Sequence, residues 1–328
     1  MKGLSTCKAV VLAAIASIAS GQALSQAPAQ SWPTRPVRFV VPFAPGGGSD
    51  VKARVLAEQL FKVFGERFIV DNRAGMAGSI GAAAVAKAPA DGYTILYGTP
   101  GPQVTNPFLY KDLPYDAEKD LAPVIFLFRI PNVLVINPSI PVKSVRDLIA
   151  LAKAQPNFIN FASSGSGSSS HLAGELLKSV AGVNMIHVPY KGSAPAALAL
   201  ISGEVQITID SIAAFKPFYD SGKLRVLGVS TLERLPSEPN IPAIAETLPG
   251  FEASSMTYIA ITGGTPRPII NQLNEALNRI LKMPDVIARF ASDRVVPVGG
   301  SPEALAAVLQ KERAKWKRII ELTGAKAE

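Results

Sequence analysis

Asn157 to Val180 reads NFINFASSGSGSSSHLAGELLKSV: an apolar strand, a glycine-serine elbow, then an amphipathic helix that opens on hydroxyls. Val37 to Leu60, VRFVVPFAPGGGSDVKARVLAEQL, repeats the design with three consecutive glycines. In such a unit the elbow aims unpaired backbone N–H groups and the positive end of the helix dipole at one point, a socket for an anion. Two sockets in one chain predict two lobes closing on one ligand.

Outward from these loops, apolar strands alternate with helical patterns, the signature of βαβ units and a parallel sheet. Strands are expected at 37–43, 68–71, 93–97, 158–162, 185–188, 205–209 and 224–230. Helices are expected after the first loop, with Val51, Val55, Leu56, Leu60 and Val63 on one face, and at 79–87, 145–154, 171–180 and 194–201. Residues 123–137, PVIFLFRIPNVLVIN, form a long extended run broken by Pro131, and 255–261 form a second; each suits a strand crossing between lobes. Helices at 268–282 and 302–323 then return to the first lobe. The expected fold is therefore α/β, with two lobes joined by a hinge. Its first lobe is discontinuous (32–127 plus 251–328), its second spans 128–250, and a ligand cleft lies between them.

Lys2 and Lys8, an uncharged run from Ala9 to Ile18, and small residues at Gly21, Ala23, Ser25 and Ala27 read as a secretory signal over 1–27, removed on export. The run is shorter than the roughly 20 residues a membrane span needs. Cys7 is the single cysteine, so the mature chain would hold none, and thiolate chemistry and cystine staples are excluded. The formal charge of +8, less the two signal lysines, is +6, a balance that concentrates anions near the protein. A nucleic-acid partner is not expected: Lys311, Arg313, Lys315, Lys317 and Arg318 form the solvated face of a helix whose other side carries Leu305, Val308, Leu309, Trp316, Ile319 and Ile320.

Neither GxGxxG nor a phosphate loop ending in Gly-Lys-Ser/Thr occurs, which disfavours nucleotides. Six serines within Ser163–Ser170 exceed the needs of one helix cap. GxSxG is absent, so a serine hydrolase would have to use one of these serines with His171, at a helix start where the dipole lowers basicity. His187 sits in a strand, and two histidines 16 residues apart show no local metal-ligand spacing. No cofactor or metal is expected. Thr99, Tyr190, Lys191 and Asp210 stand at strand ends, where ligands of open α/β sheets bind. Asp210 has two readings: partner of a ligand ammonium or hydroxyl, or cap of Ser211.

The segments WPTRPVRFVVPFAPGGGSDVKAR, DNRAGMAGSIGAAAVAKAPADGYTILYGT and FASSGSGSSSHLAGELLKSVAGVNMIHVPYKGSAPAALALISGEVQITIDS resemble the Bug family, periplasmic solute receptors of tripartite tricarboxylate transporters. The resemblance spans essentially the whole mature chain. It implies the two-lobed, hinge-closing, type II-like periplasmic-binding-protein fold and a non-enzymatic, monomeric binding protein that delivers a small organic anion, such as a di- or tricarboxylate, an amino acid or an aromatic carboxylate, to membrane transporter subunits. A sensor kinase is an alternative partner. By position, the first clamp would comprise Phe43, Ala44, Gly47, Ser49 and Asp50, with Thr99 on its rim. The second would comprise Ser163, Ser164, Ser168, His171, Tyr190, Lys191 and Asp210. The APGGGSD turn departs from the PPGGP of many relatives.

Overall fold

The run VRFVV buries four of its five side chains and leaves Arg38 to pair with Asp71 at 2.6 Å. It forms β1 (Val37–Val41), flanked by parallel β2 (Phe68–Asn72) and β3 (Thr94–Gly98). The computed structural model describes residues 32–46, 48–190, 192–291, 295–324 and 326. The expected signal segment, with Cys7, lies outside the described residues, as do Gly47 and Lys191.

Two helices make the crossovers of this βαβ arrangement, α1 (Gly48–Phe64) and α2 (Ser79–Ala86). The buried stripe of α1 is Ala53, Leu56, Ala57 and Leu60, with Val55 beside it. Val51, expected on that stripe, is 52% exposed. It lies five residues before Leu56, about 140° round the helix at 100° per residue, so it cannot share the core-facing side.

The first sheet has the order β11-β4-β10-β3-β1-β2. Its β4 (Leu121–Ile130), β10 (Ser255–Thr262) and β11 (Val296–Pro297) pair antiparallel, so the sheet is mixed. The second sheet has the order β7-β6-β8-β5-β9. There β6 (Asn160–Ser163), β7 (Ile186–Pro189) and β8 (Ile207–Ser211) are parallel, while β5 (Asn132–Ile136) runs antiparallel to β8 and to β9 (Arg225–Val229). Its helices are α4 (Val145–Ala154), α5 (Ser169–Ala181), α6 (Ser193–Ser202) and α7 (Ile212–Asp220). A one-turn helix, α3 (Asn106–Leu109), follows a π-helical turn, Gly101–Thr105, and the chain ends in α8 (Arg267–Ile280), α9 (Pro284–Ala291) and α10 (Pro302–Thr323).

β4 and β5 are one extended run that changes sheet at Pro131. A proline has no N–H to give either ladder, so both end there, and its carbonyl accepts Ile212 N–H at 3.1 Å. Asn132 joins this crossing to the return: its side chain donates to Ala253 O at 2.8 Å, and its backbone N–H donates to Ser230 Oγ at 3.0 Å. Arg129 pairs with Glu252 at 3.0 Å beside them.

One apolar cluster runs through both sheets, from Val40, Leu96 and Phe126 to Leu134, Phe161 and Ile207. Leu309, Trp316, Ile319 and Ile320 of α10 and Leu172, Leu176 and Leu177 of α5 belong to it. The outer face of the second sheet has a second cluster around Val133, Val135, Ile212 and Phe215. No helix of the described residues is long and apolar enough to cross a membrane.

Candidate functional site

Loops after β1, β2 and β3 leave the C-terminal ends of parallel strands in one sheet, and loops after β6, β7 and β8 do so in the other. Such ends are where open α/β sheets hold ligands. The two sets meet. A Cβ on Gly167, which has φ +79°, would stand 3.2 Å from Leu109 Cδ1, 3.8 Å from Ala77 Cβ and 3.9 Å from Asn106 Oδ1. Within the first set, a Cβ on Gly78 would lie 3.2 Å from Pro102 and 3.3 Å from Pro42, so the loops after all three strands converge.

Sequence reasoning missed the centre of that convergence. Met76 and Ala77 both have φ 47°, a left-handed conformation that non-glycine residues rarely adopt. Buried Asn106 holds the strained turn, its amide lying 3.2 Å from Met76 O, 3.3 Å from Ala77 O and 2.8 Å from Ser79 Oγ. Strained backbone fixed by a buried side chain clusters at ligand clamps. The glycines on either side of Met76 and Ala77 were the available signal.

The first predicted clamp is occupied by the chain itself. Asp50 accepts Gly46 N–H at 2.9 Å and pairs with Arg54 at 3.0 Å, at the positive end of α1. The Arg54 guanidinium foremost, and the Gly46 amide, hold this carboxyl down at about 2. Ala44 is exposed and Ser49 half-buried; Phe43 is half-buried and its carbonyl accepts from Asn72 at 3.0 Å. Thr99 is buried, and its carbonyl accepts from Tyr258.

The second predicted clamp is a closed network. Ser164 N–H donates to Ser170 Oγ at 2.8 Å, and the Ser164 and Ser168 hydroxyls lie 2.9 and 3.0 Å from the same oxygen. Gly165 N–H donates to Ser163 Oγ, Ser168 N–H to Gly165 O, and His171 N–H to the N-cap Ser168 Oγ. The amide of Ser166, in the elbow, has no partner among the described residues, and neither do those of Ser169 and Ser170, which open α5. The latter two are the orphan donors of a helix N-terminus. Fully buried Asp210 accepts Ser211 N–H at 2.6 Å and the Ser193 hydroxyl at 3.0 Å; burial raises its pKa, against the pull of those donors and of Ser170 and Ser164. Tyr190 is committed elsewhere: its hydroxyl donates to Glu204 at 2.7 Å, and burial together with that carboxylate raises it to about 12.

The two histidines, 16 residues apart in sequence, are brought together by the pairing of β6 with β7, which sets Phe161 opposite His187. The rings of His171 and His187 stack at 3.9 Å, and His187 stacks on Phe161 at 4.9 Å. His171 Nδ1 accepts Gly167 N–H at 3.1 Å, and His187 Nε2 is 2.6 Å from Ser163 Oγ. Burial lowers His171 to about 4, with Lys178 contributing; burial, His171 and Lys178 lower His187 to about 3. Desolvation is thus the leading cause of the weak basicity expected for His171. A serine–His171 dyad is not formed, and Ser163, the serine that does meet a histidine, is fully buried. Hydrolysis is not favoured. A separate groove of 540 Å³, lined by Gln103, Phe108, Leu309 and Lys317, includes Arg313, which pairs with Glu118; none of the loops after β6, β7 or β8 reaches it.

Paired sheets with facing loops of amides and hydroxyls define the class of two-lobed solute-binding proteins. The model of the tripartite tricarboxylate transporter family receptors matches residues 52–325, and the chain belongs to that family. BugT of Bordetella pertussis is 38% identical over 302 residues, covering 91% of this chain and 92% of BugT. Among solved structures, R. palustris Rpa4515 with adipate is 40% identical with a TM-score of 0.83, covering 90% of this chain and 100% of that one. MatC of Rhodopseudomonas palustris with bound malate is 31% identical with a TM-score of 0.78, covering 88% and 100%. The family and these neighbours are binding proteins rather than enzymes.

Proposed function

We propose that this protein is a periplasmic receptor that captures a small organic carboxylate between two lobes, 32–127 plus 251–328 and 128–250, and hands it to a tripartite tricarboxylate-type membrane transporter. The observation that carries the reading is the approach of Gly167 to Ala77, Asn106 and Leu109, which sets the serine loop of one sheet against the strained turn of the other. A carboxylate there would meet neutral donors: the amides of Ser166, Ser169 and Ser170 and the hydroxyl of Ser168. Charge-assisted bonds of this kind contribute about 1.5 to 3 kcal/mol each, so a few of them, less ordering costs, reach micromolar affinity. Adipate and malate in relatives support a dicarboxylate. Asn132 and Pro131 at the paired crossings would be the hinge that separates the two donor sets on release.

Isothermal titration of ligand-stripped protein against mono-, di- and tricarboxylates, amino acids and aromatic acids tests this reading. At least one acid should saturate the protein; a flat response to the whole panel refutes it. Native mass spectrometry of the purified protein would identify a retained acid directly.

A further inference from the structure

Burying two imidazoles face to face is costly, and a phenylalanine would fill the same space without polar atoms to satisfy. Yet each ring here spends a nitrogen on the serine loop. His171 Nδ1 accepts the Gly167 amide, so its proton is assigned to Nε2, which faces Glu175 Oε1 at 4.0 Å. Ser163 Oγ already accepts Gly165 N–H, and its buried hydroxyl proton has His187 Nε2 as its acceptor at 2.6 Å, which assigns the other ring's proton to Nδ1. One ring fixes Gly167 and the other, through Ser163, fixes Gly165. These are the two positive-φ glycines of the loop, at 79° and 135°, and hence its most pliable points.

We propose that His171 and His187 are a matched pair of positioning residues, in opposite neutral tautomers, that lock the Ser163–Ser168 loop so that its remaining amides and hydroxyls face a bound carboxylate. The proposal rests on the carboxylate-receptor reading and deepens it. Neutrality is essential: a proton on His171 Nδ1 would repel the Gly167 N–H, and a proton on His187 Nε2 would turn Ser163 from donor to acceptor. Burial disfavours a charge on either ring, and stacking at 3.9 Å disfavours a second charge further, because it would sit directly on the first.

The chain has two histidines, so a long-range ¹H–¹⁵N imidazole spectrum of the labelled full-length protein contains only this pair. At pH 6 it should show one ring protonated at Nε2 and one at Nδ1; two rings in one tautomer, or either ring charged, would overturn the proposal. Amide exchange provides a ligand-free readout. His171→Phe keeps the stack but removes the acceptor, and should speed exchange at Gly167 by about tenfold or more; His171→Asn, whose Oδ1 reproduces Nδ1, should restore protection. Unchanged Gly167 exchange in His171→Phe refutes the role. With adipate or malate as probe, His171→Phe should bind about tenfold more weakly and His171→Asn close to wild type. Wild-type affinity in the phenylalanine variant also refutes the role. Should wild type itself bind no acid of the panel, the receptor reading falls, while the tautomer and exchange results still decide whether the histidines position the loop.

Discussion

Acidification should destabilise this protein well above the range where carboxylates titrate. His171 and His187 are neutral when folded, held near 4 and 3, whereas in the unfolded chain each has a pKa of about 6.5. As pH falls below 6.5 the unfolded state takes up two protons that the folded state refuses, so stability declines until the folded values are reached. From pH 7 to pH 5 each histidine removes about 2 kcal/mol, together about 4 kcal/mol of a total that for most proteins is about 5 to 15. Asp210 acts in the opposite sense. Its raised pKa means that the folded state gains its proton before the unfolded chain does, offsetting up to about 1.4 kcal/mol per pH unit over its own titration. Urea unfolding at pH 7, 6 and 5 of wild type and His187→Phe separates the two effects, since Asp210 is common to both. The stability difference between them should shift by about 2 kcal/mol from pH 7 to pH 5, in favour of the variant. A difference that stays constant across that range would refute the account of the histidine stack.

Gly167→Val forces a β-branched residue into φ +79° and against Leu109, and should cost about 1 to 3 kcal/mol of stability while abolishing carboxylate binding, as read by thermal melting and titration. Asp210→Ala leaves the Ser193 hydroxyl and Ser211 amide without their acceptor, at about 1 to 3 kcal/mol each; circular-dichroism melts should show a lower midpoint. Asn132→Ala orphans Ala253 O at the crossing and should lower stability by about 1 to 3 kcal/mol, with faster amide exchange at 253–255 than in wild type.

Much of the fold was legible because period and punctuation agree locally. The helix over 145–154 is read to the residue, with Ser144 accepting Asp147 N–H as its N-cap, and Gly182 and Gly203 stop their helices in the left-handed conformation. Ile212–Asp220 escaped detection because Pro217 interrupts a short pattern between two strands; it is the sixth of the nine residues, inside the helix, and removes one bond of its ladder. The mixed pairing of both sheets was hidden too, since a buried strand has the same apolar run in either direction. The serine loop was found, but its donors were expected to be open, and the amides of Ser164, Gly165 and Gly167 are consumed by Ser170, Ser163 and His171. Sequence spacing could not reveal those bonds, because they depend on the register that sets Phe161 against His187. The Met76–Ala77 turn was passed over because left-handed backbone is expected at glycine, and there it is imposed on two residues that disfavour it by Asn106, some 30 positions away.

The apolar cluster that threads both sheets has a consequence for how the protein comes apart. Leu172, Leu176 and Leu177 share their interior with Leu309, Trp316, Ile319 and Ile320, so neither sheet can come apart without exposing apolar surface of the other, even though the second keeps a cluster of its own around Val133 and Phe215. Calorimetry should therefore record a single endotherm with equal van't Hoff and calorimetric enthalpies, in place of the two steps expected of independent domains. Removing the last turns of the C-terminal helix should loosen both sheets at once.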